Sequence, residues 1–210
     1  MVVVLISAAH VKINIIMTFS LEKDPIDLFA KWYKAVLHSS STAMTLATCS
    51  KDCIPSARVV LLKKYGKEGF VFFTNIDSRK GGELAENPKA ALVFHWPEFS
   101  RQVRIEGDVK VLNSEKADEY FSSRARDSQI SAWCSKQSSV LKNWRDFEQA
   151  IKLKENEFYN TQIPRPDFWV GFCVIPKVIE FWQGGKHRRH TRFKYTLVEG
   201  SNWKVEQLYP

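Results

Sequence analysis

Short runs of β-branched and aromatic residues follow one another along the chain, and their brevity limits the fold more than any other feature. TAMTLAT (42–48), ARVVLLKK (57–64), GFVFFTN (69–75), KAALVFHW (89–96) and SRQVRIEGDVKVL (100–112) are of strand length and composition. Tyr65 to Glu68 supply a turn between two of them, which starts an antiparallel meander. FWVGFCVIP, VIEFW, TRFKYTL and WKVEQL close the chain in the same manner. Several of these runs alternate poorly, as strands do when both faces are covered. Helical patterns are fewer. Asp24 as N-cap and Pro25 at the first helical position open a helix carrying Leu28, Phe29, Trp32, Tyr33 and Val36, ending near His38. Residues 77–88 read as a short helix capped by Asp77 or Ser78 and stopped by Asn87-Pro88. Ser114 caps a helix running through Tyr120 and Arg124, and residues 139–160 form another. The expectation is a mainly β fold with flanking helices, a closed or split β-barrel.

Length and charge narrow the classes. The 210 residues suffice for one large domain or two small ones, and no linker forces two. One domain over 17–210 is therefore expected. Residues 1–16 read as a loose tail or a misassigned start, because Met17 and the TFSLEKDP after it lead directly into the first helix. The apolar MVVVLISAA has no basic leader and is too short to span a bilayer, so it reads as neither signal nor anchor. Cys49, Cys53, Cys134 and Cys173 form no CxxC pair and no Cys/His cluster, which points to no metal site, no disulfide framework and a reducing cytoplasm. The net charge of +8 favours anionic partners.

Several groups could bind such a partner. The helix start at Ser78 offers free N–H groups, with Thr74, Arg79 and Lys80 beside it, and would suit a phosphate. Tyr120, Arg124 and Ser128 stand at i, i+4 and i+8, so a helix persisting that far presents all three on one face. Arg58 and Lys63 fall on opposite faces of a flat strand, and SKQSS (135–139) is a polar loop. In EFWQGGKHRRHTRF (180–193), strand parity would place Lys186, Arg188, His190 and Arg192 on one face and His187, Arg189 and Thr191 on the other. That parity disfavours metal binding by His187 and His190. Nucleic-acid binding is the stronger rival, since cations interleave with Trp182 and Phe193. Against it, the basic groups lie in separated segments beside hydroxyls and amides, as small phosphate pockets require. No GxSxG, Walker loop or GxGxxG is present, so an enzyme of this sequence would rely on a bound cofactor.

Taken in order, RVVLLK (58–63), FTN-DSRK (73–80), RQV (101–103), YFSSR-RDSQI (120–130), SKQSS (135–139) and EFWQGG-HR-H-RF (180–193) resemble the pyridoxine (pyridoxamine) 5′-phosphate oxidase family. The resemblance covers about Asp24 to Pro210 and implies an FMN-binding split β-barrel that works as a homodimer, each site drawing on both chains. It implies FMN contacts at Arg58, Lys63, Thr74, Ser78, Arg79, Lys80, Gln102, Gln137, Ser138, Trp182 and Arg192. Lys63, Tyr120, Arg124 and Ser128 would grip the substrate phosphate, with Arg188 and His190 as the catalytic pair holding the ring against the flavin. The implied reaction converts pyridoxine 5′-phosphate or pyridoxamine 5′-phosphate to pyridoxal 5′-phosphate, with dioxygen as oxidant and hydrogen peroxide as by-product. Neither nucleic acid nor membrane is an expected partner. Two features depart from the pattern: residues 1–16 match none of it, and Arg189 stands where an apolar residue is expected, so Arg189 would face the substrate if a bulge reversed the parity.

Overall fold

The computed structural model describes residues 20–36, 42–199 and 202–210. The expectations for residues 1–16 and for the helix end at His38 lie outside these. Helix α1 (Pro25–Ala35) begins as its sequence requires, with the Asp24 carboxylate accepting from the Ile26 N–H at 2.9 Å. It buries Leu28, Phe29 and Trp32.

The strands are β1 (Ala43–Cys49), β2 (Pro55–Leu61), β3 (Lys64–Gly66), β4 (Gly69–Asn75), β5 (Lys89–Trp96), β6 (Arg101–Val111), β7 (Trp169–Gln183), β8 (Thr191–Leu197) and β9 (Trp203–Leu208). All pairings are antiparallel, in the order β2-β1-β5-β6-β7-β4-β3, with β8 on β7 and β9 on β8. The single run expected at 57–64 divides in two, and the turn after it shrinks to Lys67-Glu68.

Two expected strands, FWVGFCVIP and VIEFW, form one strand of 15 residues, β7. One edge of it is shared: Trp169–Val174 pairs with β4, and Val178–Gln183 pairs with β8. The handover coincides with a bulge, since Gly107 faces Pro176 while Glu106 faces Val178. A bulge tolerates the proline, which has no N–H to give the ladder. It also resets side-chain parity, so Phe172 and Val174 before it and Ile179 and Phe181 after it all point into the core. This handover splits the barrel.

Helices cover the rest: α2 (Arg79–Glu86), α3 (Ser114–Ser122), α4 (Arg126–Cys134) and α5 (Trp144–Glu157). The expected helix from Ser114 through Arg124 stops at Ser122, its N-cap is Asn113, and a separate helix follows. Serine chemistry is the cause. The hydroxyls of Ser122 and Ser123 donate to the Glu119 and Tyr120 carbonyls at 2.8 and 2.7 Å, competing with the helical ladder. Buried Gln129 then donates to the freed Phe121 and Ser122 carbonyls at 2.8 and 3.2 Å. The last expected helix begins only at Trp144, where the Asn143 side chain accepts from Arg145 N–H. Phe121, Ile130, Phe158, Ile163 and Trp169 form a second, smaller core where α3 and α4 meet β7.

Candidate active site

Helix α2 starts beneath β4 and shapes an anion-binding corner. Its N-cap Ser78 donates to the Asn75 carbonyl at 2.7 Å and accepts from Gly81 N–H at 3.4 Å. Gly81 has no alternative here, because a Cβ would stand 2.0 Å from the Ile76 carbonyl oxygen. Lys80 turns inward and is buried, its ammonium donating to Gln137 Oε1 at 2.8 Å, Ser78 Oγ at 3.1 Å and Thr74 Oγ1 at 3.3 Å. Burial, and then the neighbouring Arg58 charge, push the Lys80 ammonium below the ordinary lysine range, against an opposing pull from Glu83. Thr74 also donates to Gln137 Oε1 at 3.0 Å.

Opposite this corner stands an aromatic wall. Phe73, Tyr120 and Trp169 lie nearly parallel, with centroids 4.3 Å (Phe73–Tyr120) and 5.2 Å (Phe73–Trp169) apart. Arg124 lies 4.9 Å over the Trp169 ring and 5.6 Å over Phe121, and Lys63 lies 5.4 Å over Tyr120. The Arg124 Nη1 is buried and has no hydrogen-bond partner. Burial lowers its pKa accordingly. A buried guanidinium nitrogen with nothing to donate to costs on the order of 1–3 kcal/mol. Arg58, Lys63, Thr74, Lys80, Tyr120, Arg124, Ser128 and Gln137 all line one cavity of about 910 Å³ between corner and wall. Its size suits a ring compound bearing a phosphate. Tyr120, Arg124 and Ser128 thus meet as expected, though from α3, the break after it and α4 rather than from one helical face.

The remaining candidates lie elsewhere in the chain. Arg79 is on α2 but points to solvent, paired with Glu83 at 2.9 Å. Ser138 sits in the tight 136–139 turn, at a φ of 72°. Gln102, Trp182 and Arg192 are directly opposite one another on β6, β7 and β8, and so share the outward face of the sheet. Arg192 is held by Glu180 at 2.8 Å and by the Tyr209 carbonyl at 3.1 Å. The expected cationic ladder does not exist. Lys186–Arg188 form a 3₁₀ turn in which His187 and Arg188 have φ of 53° and 61°, and the strand begins only at Thr191. Gly185 makes this turn possible, since a Cβ there would lie 2.0 Å from the Arg189 carbonyl oxygen. His190 accepts from Gly185 N–H through Nδ1 at 3.2 Å and packs on Trp182, with ring centroids 4.7 Å apart. Parity therefore settles nothing between Arg188 and Arg189, both exposed.

The separation of the two groups is large. Thr74, on the cavity, pairs with Val170, and Trp182 lies twelve residues further along the same strand. At about 3.3 Å per residue that is up to ~40 Å, shortened by the bulge and the curl of the sheet. Nothing in the sequence singles out the aromatic wall, because Phe73 and Trp169 look like ordinary strand residues. Glu83 was equally inconspicuous, although its position four residues after Arg79 is a signal for an ion pair.

Comparison with known proteins agrees with this geometry. The family model described as pyridoxamine 5′-phosphate oxidase matches residues 30–156, and that described as the pyridoxine 5′-phosphate oxidase C-terminal dimerisation region matches 169–210. A pyridoxine/pyridoxamine 5′-phosphate oxidase of Wolbachia pipientis wMel is 76% identical, with each chain covered to 100%. The enzyme of that name from Ehrlichia chaffeensis is 58% identical over 90% of this chain and 100% of its own. Among solved structures, PhzG from Burkholderia lata 383, in complex with tetrahydrophenazine-1-carboxylic acid, superposes with a TM-score of 0.85 at 28% identity, covering 90% of this chain and 94% of that one. An FMN-binding protein of Nostoc punctiforme shares the fold at a TM-score of 0.70 and 13% identity, covering 91% and 99%. With both family models matched in order and relatives this similar along the whole chain, the protein belongs to the pyridoxamine 5′-phosphate oxidase family.

Proposed function

We propose that this chain oxidises pyridoxine 5′-phosphate and pyridoxamine 5′-phosphate to pyridoxal 5′-phosphate, as an FMN-dependent homodimer in the cytoplasm. The observation that carries the reading is Arg124, whose Nη1 is buried without a hydrogen-bond partner, lining the same cavity as the Lys80 corner. Two anion-binding groups on one cavity suit two phosphorylated ring compounds. When bound, FMN supplies a two-electron acceptor for the hydride on the carbon bearing the alcohol or amine, and dioxygen restores it with release of hydrogen peroxide.

The chain's own contribution is positioning and electrostatics. Thr74, Lys80 and Gln137, with the α2 N-terminus capped by Ser78, hold the cofactor phosphate, and Arg58 and Arg79 add charge beside it. Arg124 fixes the substrate phosphate with Lys63, Tyr120 and Ser128, so the reacting carbon is presented at one place. Gln102, Trp182 and Arg192, with Ser138, complete the flavin contacts, while Arg188 and His190 hold the pyridine ring. Gln102, Trp182, Arg188, His190 and Arg192 come from the partner chain, because within one chain they lie at the far end of β7, whereas Ser138 follows the cavity residue Gln137. Residues 17–210 act as one domain, with 1–16 outside it.

Aerobic turnover tests the reading. Purified protein with FMN and pyridoxine 5′-phosphate is expected to yield pyridoxal 5′-phosphate and hydrogen peroxide in equal amounts, and pyridoxamine 5′-phosphate to release ammonia as well. Flavin binding without either product from either substrate would move the substrate assignment to another compound while leaving the cofactor site.

A further inference from the structure

One buried carboxylate does not line the cavity but is bonded to an arginine that does. Glu83, on the inner face of α2, is buried, and a carboxylate is rarely buried without a task. Its Oε2 accepts from Thr48 Oγ1 at 2.5 Å and Ser56 Oγ at 2.6 Å and lies 3.3 Å from Arg58 Nη2, while its Oε1 accepts from Arg79 Nε at 2.9 Å. The same two hydroxyls also accept from Arg58: Thr48 takes Nη1 at 2.5 Å, and Ser56 takes Nη2. Arg58 is thereby fixed on the edge strand β2, where an unsupported arginine would sample many rotamers. Four polar groups from β1, β2 and α2 close around a single carboxylate.

We infer that Glu83 is a positioning residue that aims Arg58 at the cofactor's phosphate, an inference that rests on the flavin reading above. Charge supports it. Arg58 and Lys80 both line the cavity, and Glu83 offsets part of their mutual repulsion while leaving that end net positive for an anion. Preorganisation supports it too: an arginine already fixed loses little further freedom when the anion arrives. Nothing in the network reaches Tyr120, Arg124 or Ser128, so the substrate end is expected to be indifferent to it.

The test compares FMN with riboflavin, which carries the same ring system without the phosphate. Flavin-free protein is titrated with each by fluorescence, for wild type, Glu83→Gln and Thr48→Val. Wild type is expected to prefer FMN. Glu83→Gln keeps acceptor and donor atoms for the hydroxyls but loses both ion pairs, so FMN affinity should fall about tenfold, with riboflavin affinity changing less than about twofold. Thr48→Val, which removes one hydroxyl from under Arg58, should weaken FMN alone by about threefold, and carries the test if Glu83→Gln does not fold. At saturating FMN, the KM for pyridoxine 5′-phosphate should stay as in wild type. Loss of both flavins in parallel, or of neither, would overturn the inference while leaving the cofactor assignment intact. A wild-type protein that binds FMN no better than riboflavin would instead remove the cofactor-phosphate reading and the inference with it.

Discussion

Replacing Arg124 with glutamine separates a ligand-binding arginine from a structural one. The guanidinium's Nη1 is buried without a hydrogen-bond partner, and the group stacks on Trp169 and Phe121. A substrate phosphate would supply charge-assisted hydrogen bonds worth about 1.5–3 kcal/mol. At about 1.4 kcal/mol per factor of ten, their loss should raise the KM for pyridoxine 5′-phosphate by about 10- to 150-fold. FMN affinity should not move, because the Lys80 corner does not involve Arg124. Folding stability is the sensitive control. Removing a half-buried guanidinium with one unpartnered nitrogen forfeits the stacking, about 1–2 kcal/mol, but relieves a penalty of similar size, so the melting temperature should stay within a few degrees. The assay is steady-state turnover at saturating FMN beside a thermal melt of the flavin-free protein. An unchanged KM together with a melting temperature lowered by ten degrees or more would show that Arg124 supports the fold, and would refute the reasoning.

Three further outcomes follow from the same geometry. Burial holds the Lys80 ammonium below the ordinary lysine range, so FMN affinity should fall as pH rises, before ordinary lysines titrate; the flavin-free protein, whose unfolded state binds that proton more readily, should gain stability over the same span, which pH-dependent titrations and melts would check. Although burial pushes Glu83 upward, hydrogen bonds from Ser56, Thr48 and Arg79 and the Arg58 charge hold it at about 2 against an ordinary 4.5. This depressed carboxylate contributes about 3 kcal/mol above pH 4.5, lost as pH falls toward 2, so Glu83→Gln should lose stability at pH 7 and converge with wild type in acid, as measured by denaturant unfolding. Gly81→Ala should lower stability by about 2 kcal/mol or more and abolish FMN binding, since its Cβ would displace the Ile76 carbonyl at the start of α2.

Much of the fold was legible because it is local. Asp24-Pro25 and Ser78 cap helices where their chemistry requires, and the β-branched and aromatic runs became strands, two of them merged and one divided. What stayed hidden depends on competition or on distance. The serine pair at 122–123 ends a helix that propensity alone would continue, and the resulting break, not a helical face, delivers Arg124 to the cavity. The cationic ladder failed because two consecutive residues take left-handed conformations, which parity reasoning cannot foresee in Lys-His-Arg. The Arg58, Thr48, Ser56 and Glu83 network joins residues up to 35 positions apart, and pairing across β1, β2 and α2 is visible only in three dimensions. Among the described residues no helix is long and apolar enough to cross a membrane.

The most direct test of the proposed shared centre is complementation between two chains. Arg124→Ala, from the cavity group, and His190→Ala, from the outward sheet face, are co-expressed with different affinity tags, and the heterodimer is isolated. One of its two centres then carries both substitutions and the other neither, so at substrate below the wild-type KM it should show about half the wild-type activity, while each parent homodimer is nearly inactive. A heterodimer no more active than its parents would place both residues in the same chain's centre and contradict the shared site.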